Sequence, residues 1–344
     1  MPFELNEKVK NLMPYDPIEG DFPIRLDANE SFLPLSEQEC DGIFQATNSA
    51  LFRRYPDSKA GKLCQVAAAF YDTKPEFVTA FNGADEALFL LCTAFLGAQK
   101  PLMCFELDFA MYQFYASLTG FGCIKVPKRA DFTIDTKAAI DIIFAKKSAV
   151  FVFSNPCNPT SLLLPKDRVR QMIRAAEKVG TLVVLDEAYM DFCAESLIDE
   201  VEQHSNLLIL RTCSKAPGLA GLRLGFSIAN EELTRVMRAV KSPYNVGVLT
   251  QEIGAQLLSQ RERIILDIEA IQASTKELSQ GLRELNLQVI GDSANFVFVK
   301  DAAYLFEELK AQGIVVRRFK EHLRISAGSK EENNALLSAI RRLL

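Results

Sequence analysis

Four short apolar runs in this 344-residue chain are each followed at once by residues that could do chemistry. After LLIL comes RTCSK, which puts Lys215 beside the hydroxyls of Thr212 and Ser214. A lysine among small residues at a strand end is either a salt-bridge partner or an amine whose pKa its surroundings lower until it can form a Schiff base. After TLVVL comes DEAYMDF, with Asp186 and Tyr189 at the same edge. A carboxylate there is costly unless it meets a cation or donors, so Asp186 calls for a positive partner if it is not simply a helix cap. After FVTAF comes NGADE: Gly83 permits a tight turn, and the amides of Ala84 and Asp85 open a helix that suits a phosphate, unless Asn82 or Asp85 merely caps it. After AVFVF comes SNPCNPTS, whose two Asn-Pro pairs force a non-helical turn and direct Asn158 toward the space beyond the strand. Arg223, inside apolar LAGLRLGF, needs an anion.

Such residues act together only if the runs they follow are neighbouring strands. From about residue 77, FVTAF, PLMCF, AVFVF, TLVVL, LLIL and LRLGFSIA alternate with amphipathic stretches such as ADEALFLLCTAFL and PKDRVRQMIRAAEKVG. Strands spaced by helices predict an α/β fold with a mainly parallel sheet, whose ligand sits beyond the carboxyl ends of the strands. From about residue 231 a long helical region, broken at Ser242-Pro243, leads into LQVIG, NFVFVK, GIVVRRF and LRISAG, a small α+β unit. The expected organisation is an extended arm over 1–30, a large domain over 31–240 and a small C-terminal domain over 241–344.

The formal charge of −5 gives no general attraction to nucleic acid or to an anionic membrane, so the expected partner is a small molecule. Eight cysteines without a CxxC pair, and an N-terminus without the apolar core of a signal peptide, predict a cytoplasmic protein. The longest apolar runs are too short to span a bilayer. Neither His204 nor His322 has a partner at metal-ligand spacing, so no metal is expected and hydrolysis by zinc or by a Ser-His-Asp triad is not the leading chemistry.

One ligand answers the polar residues together: an aldehyde for Lys215, a phosphate for the turn at Gly83, Ser214 and Arg223, and a basic ring nitrogen for Asp186. Pyridoxal 5'-phosphate carries these groups, and no GxxxxGK or GxGxxG competes for the phosphate. The ordered segments LDANES, RYPD, NGADEAL, NPCNPTS, LDEAYMDF, SKAPGLAGLRLGF, SPYNVG, SANF and LRISAG resemble the class I and II aminotransferases of fold type I, and among them the histidinol-phosphate aminotransferases. The resemblance runs over nearly the whole chain and rests most on DEAY together with SKxxxLAGLRxG.

The resemblance implies that Lys215 carries the cofactor and moves the proton between the substrate carbon and the cofactor. It implies that Asp186 keeps the pyridine nitrogen protonated, and that Asn158 and Tyr189 bond the ring hydroxyl. It assigns the phosphate to Ala84, Asp85, Ser214 and Arg223, with Thr212 beside them, and to Tyr55 from a neighbouring subunit, hence a homodimer with shared sites. Arg324 would grip the carboxylate of glutamate and, with Arg317, Tyr15 and Asn29, the substrate phosphate.

Three departures stand out. Phe109 occupies the place of a ring-stacking tyrosine, which keeps the stacking and loses a hydroxyl. Ser161 replaces a glycine and is expected to be tolerated with negative φ. Pro217-Gly218 stands where bulkier residues are common and puts a helix start there in doubt. The activity implied is exchange of histidinol phosphate with 2-oxoglutarate. The alternatives are an aromatic-amino-acid aminotransferase, a lyase resembling threonine-phosphate decarboxylase, and a cofactor-binding protein without catalysis.

Overall fold

The computed structural model describes residues 3–10, 18–46 and 51–344. Its twelve strands are β1 (Ile24–Leu26), β2 (Val78–Asn82), β3 (Leu102–Phe105), β4 (Cys123–Val126), β5 (Val150–Ser154), β6 (Leu182–Asp186), β7 (Leu207–Thr212), β8 (Leu224–Ala229), β9 (Gln288–Gly291), β10 (Phe296–Lys300), β11 (Ile314–Phe319) and β12 (His322–Ser326). Seven of them form one sheet in the order β2-β8-β7-β6-β5-β3-β4. The run from β7 to β4 is parallel, and only β8 lies antiparallel to its neighbours β7 and β2. The mainly parallel α/β sheet expected from the alternating pattern is present.

Both faces of this sheet are buried, which is why its strands read as unbroken apolar runs. Along β5, Phe151 and Phe153 enter the core on one face, while Val150 and Val152 enter the core on the other. The direction of winding reverses between β5 and β3, so a crevice opens beyond their carboxyl ends. The edge strand β4 was not among the expected strands, since CIKV is only half-buried and its pattern is weak. Helix Val248–Leu258 follows the expected break at Ser242-Pro243 and adds Ala255, Leu257 and Leu258 to the core beneath the seven-stranded sheet.

The second sheet has the order β1-β11-β12-β10-β9. On one face Leu26, Val316, Leu323, Ile325, Val297 and Val299 pack on helices Arg261–Glu284 and Lys330–Leu343. Alternation puts Arg25, Arg317, Arg324, Phe296 and Phe298 on the opposite face. Residues 24–26, expected as part of an extended arm, are thus an edge strand, parallel to Ile314–Val316. Three residues carry too little periodicity to announce a strand, and the partner lies almost three hundred positions away.

Candidate active site

The carboxyl ends of β5, β6 and β7, the first turn of helix Gly83–Phe95 and the segment after β1 open on one cavity of ≈ 450 Å3. Ala84, Asp85, Phe109, Asn158, Asp186 and Tyr189 line it, and so do Thr212, Ser214, Lys215, Arg223, Asn29 and Arg324. Twelve residues from seven segments of the sequence, with Thr212 to Arg223 taken as one, therefore face one space.

Asp186 closes β6 and is buried. Its Oδ2 accepts from the Tyr112 hydroxyl at 2.6 Å and its Oδ1 from the Ala188 amide at 3.1 Å. Both donors are neutral, so the positive partner expected for Asp186 is not supplied by these contacts. Burial pushes its carboxyl up to about 7, against the pull of the two hydrogen bonds. A cationic ring nitrogen in the cavity is the partner that would return it to the anion.

The turn at Gly83, expected to suit a phosphate, is built from backbone. Asn82 precedes helix Gly83–Phe95 but makes no capping bond, because its side-chain amide donates to the Asn245 carbonyl instead. The plain-cap alternative for Asn82 falls away, and the first amides of the helix remain available to an anion. Gly83 has φ +72°, and a Cβ there would stand 2.8 Å from Arg223 Nη2. At Gly225 a Cβ would lie 2.5 Å from the Ala84 amide nitrogen, so glycine lets β8 press against the helix start. Arg223 itself adopts φ 50°, with Nη1 3.4 Å from Ser214 Oγ and Nη2 3.2 Å from Asp85 Oδ2. Ser214 is held in turn by its amide, which donates to Thr212 Oγ1.

Lys215 Nζ donates to the Ala28 carbonyl at 2.9 Å. Removal from water, followed by the field of Arg324, lowers its ammonium to about 8. On the far side Arg324 donates through Nη1 to Asn158 Oδ1 at 2.8 Å and through Nη2 to the Asp27 carbonyl. Phe296 and Phe319 lie under its guanidinium at 5.4 and 5.5 Å. Asn29, at φ 54°, donates to the Tyr189 hydroxyl at 2.9 Å and receives Ser326 Oγ–H. The second sheet is thereby tied to the first across the cavity.

Three expected residues are not brought in. Tyr55 is 79% exposed and stacks on Tyr244, centroids 4.4 Å apart, away from this cavity. Arg317 lies directly across from Arg324 on β11, hence on the same face, but does not line the cavity. Tyr15 lies outside the described residues. Ser161 corrects the expectation of negative φ: it adopts φ 55°. Its hydroxyl accepts the Ala294 amide at 2.9 Å and its carbonyl accepts the Ser293 amide, so the strained serine joins the Asn158 loop to the second sheet. No helix begins at Pro217-Gly218: the chain turns, with the Gly218 amide donating to the Lys215 carbonyl, and only a short 3-10 turn follows at Ala220–Leu222. Gly218 has φ +71°, which explains the glycine. Among the described residues no group of three His, Cys, Asp or Glu side chains could hold a metal.

The family model for class I and II aminotransferases matches residues 24–340. The chain belongs to the class I and II aminotransferases. It is 33% identical to a histidinol-phosphate aminotransferase of Clostridium kluyveri over 98% of each chain. It is 35% identical to one of Thermococcus gammatolerans over 98% of this chain and 96% of the other. Among solved structures it is similar to the Sinorhizobium meliloti histidinol-phosphate aminotransferase in complex with pyridoxal-5'-phosphate, with TM-score 0.86, 23% identity, and 94% and 92% of the two chains covered. A Thermus thermophilus aspartate aminotransferase double mutant superposes with TM-score 0.87 at 20% identity over the full length of both chains.

The cavity of this aminotransferase fits pyridoxal 5'-phosphate. Lys215 would offer a depressed amine to its aldehyde, the open helix amides and Arg223 would hold its phosphate, and Asp186, which has only neutral donors, would face its ring nitrogen. Two contributors escape a reading of strand ends. Tyr112 sits one helical turn beyond Phe109, in helix Ala110–Thr119, and that spacing is the signal that could have found it. Asp108 accepts the Ser154 hydroxyl, and Ser154 Oγ accepts the Asn158 amide at 2.9 Å, which fixes the loop carrying Asn158. Tyr112→Phe deletes a donor to the Asp186 anion. The carboxyl then rises further, and we expect kcat/KM to fall about 10-fold while the acidic limb of the pH profile moves to higher pH. An unmoved limb would show that the hydroxyl does not tune Asp186.

Proposed function

We propose that this aminotransferase, with pyridoxal 5'-phosphate, exchanges the amino group of L-histidinol phosphate with 2-oxoglutarate, forming imidazole-acetol phosphate and L-glutamate, a step of histidine biosynthesis. The observation that carries the reading is a cavity with two anion anchors, Arg223 with the helix start and Arg324, on either side of Lys215 and Asp186. The first anchor suits the cofactor phosphate. The second is a planar fork that can grip the phosphate of one substrate and the carboxylate of the other, with Arg317 beside it on the sheet. The relatives that are 33–35% identical over nearly the whole chain bear the name of this activity.

When bound, the cofactor supplies an electron sink for negative charge developing at the substrate carbon. Asp186, buried at the cavity wall, would hold the proton on the ring nitrogen. Asn158 and Tyr189 would hold the ring hydroxyl and Phe109 would cover the ring, since all three line the cavity. Lys215 would be the base placed to move the proton at the substrate carbon.

Further parts of the reading are proposals of the same kind. Residues 1–30 act as an arm whose Ile24–Leu26 docks as the edge strand of the second sheet, followed by a large cofactor-binding domain over 31–240 and a small C-terminal domain over 241–344. Tyr55, exposed beside Tyr244 and near exposed Phe52, reaches the cofactor phosphate of a second copy, which makes the enzyme a homodimer with shared sites. The protein works in the cytoplasm. Among the described residues no helix is long and apolar enough to cross a membrane.

The test uses the cofactor-loaded enzyme. L-glutamate bleaches the visible absorption of the bound cofactor, and kcat/KM for histidinol phosphate exceeds that for phenylalanine by about 100-fold or more. No bleaching would reject transamination, a reversed preference would identify an aromatic-amino-acid aminotransferase, and carbon dioxide released from threonine phosphate would identify a lyase.

A further inference from the structure

The charged side chains that line the cavity include Arg25, Asp27 and Glu30 besides those already given a role. Arg223 and the helix amides take one phosphate, Arg324 takes the other anion, and Asp186 takes the ring nitrogen. Asp27 has no such assignment. It follows β1, two residues beyond Arg25, and therefore lies on the face of the second sheet that carries Arg324. Its carbonyl accepts Arg324 Nη2, which fixes its backbone against the substrate anchor. The residue is 6% exposed and lines the cavity. Its Oδ2 accepts Arg25 Nη2 at 3.2 Å, whereas its Oδ1 is buried without a hydrogen-bond partner.

A buried carboxylate oxygen left unpaired is costly, and structures seldom keep one without use. We propose that Asp27 selects the substrate ring by accepting an N–H of its imidazole, an inference that rests on the histidinol-phosphate reading above. Oδ1 is closed off as the side chain stands, so the carboxylate must turn toward the cavity to present it. An imidazole N–H that then reaches it forms a charge-assisted bond, and a protonated ring adds an ion pair. A phenyl ring offers no donor and leaves the oxygen stranded, so the same group that attracts the heterocycle rejects the hydrocarbon. A purely structural role, in which Asp27 only steadies Arg25 and the arm, predicts instead that every substrate suffers alike.

The experiment compares L-histidinol phosphate with L-phenylalaninol phosphate, which keeps the amine and the phosphate and replaces imidazole by phenyl. The cofactor-loaded wild-type enzyme, Asp27→Ala and the isosteric Asp27→Asn are assayed, with cofactor absorption and thermal melting checking that each variant is folded. The wild type should favour histidinol phosphate by about 100-fold, and Asp27→Ala should reduce that ratio by about 10- to 100-fold. Asp27→Asn, which keeps an acceptor oxygen and loses the charge, should fall between. A ratio unchanged in both variants, or a wild type that takes both phosphates equally, overturns the role of Asp27 and leaves the activity standing. A wild type inert toward histidinol phosphate overturns the functional reading, and this inference with it.

Discussion

Lys215→Ala is expected to abolish the visible absorption of bound cofactor and to lower turnover by more than about 10,000-fold, because one substitution removes both the tethering amine and the proton carrier. The fold should survive. Among the described residues the Lys215 side chain makes one hydrogen bond, to the Ala28 carbonyl, and its removal takes a depressed ammonium out of a confined site. Melting temperature and circular dichroism check this, and substantial turnover in the variant would refute the assignment. The lowered pKa adds a kinetic signature. Capture of the cofactor aldehyde needs the neutral amine. Recombination of wild-type apoprotein with cofactor should therefore accelerate about tenfold per pH unit up to about 8 and then level off, well short of the ordinary lysine value of 10.5. A rate still climbing about one to two units above the lowered value of about 8 would contradict the depressed amine.

Asp186→Ala carries the second largest effect, a fall in kcat of about 1,000-fold, since the ring nitrogen loses the anion that holds its proton where water cannot substitute. Asp186→Asn preserves the shape and should be nearly as poor, for a neutral amide cannot balance a ring cation. The apoprotein offers an independent check by linkage. The carboxyl titrates from 3.8 in its ordinary state but near 7 when folded, so between those values the folded chain holds the extra proton. The unfolded state then binds fewer protons, and the contribution of this group to stability is present below the lower value and declines as pH rises through the window. Asp186→Asn removes that decline. Melting curves of apoprotein from pH 4 to 7 that show the same slope in wild type and variant would contradict the raised carboxyl.

Much of this was readable in one dimension because the sheet is parallel and buried on both faces. An apolar run that must stop at a sheet edge shows its next residue to the crevice, so Lys215, Asp186, Asn158 and the turn at Gly83 announced themselves by position alone. Ser161 was harder. Its residue type gave no sign that the backbone there turns left-handed, and the compensation comes from the Ala294 amide, more than a hundred positions away. Tyr112 was hidden for another reason. It follows Phe109 by one turn inside an aromatic helix, where a core residue and an Asp186 donor look identical until the helix is docked.

The sequence by itself determined most of the order of strands and helices, β1 and β4 excepted, the group of polar residues at the strand ends and the kind of ligand they suit, because each depends on local periodicity and on residue chemistry. Only the tertiary structure decided which of those residues meet. Pairing of Ile24–Leu26 with Ile314–Val316 carries Asp27 and Asn29 to Arg324 and Tyr189, joining the two ends of the chain over the cavity. Such a contact depends on sheet register between distant segments, and register is set by burial of one face against the other, a property that no local stretch of residues contains.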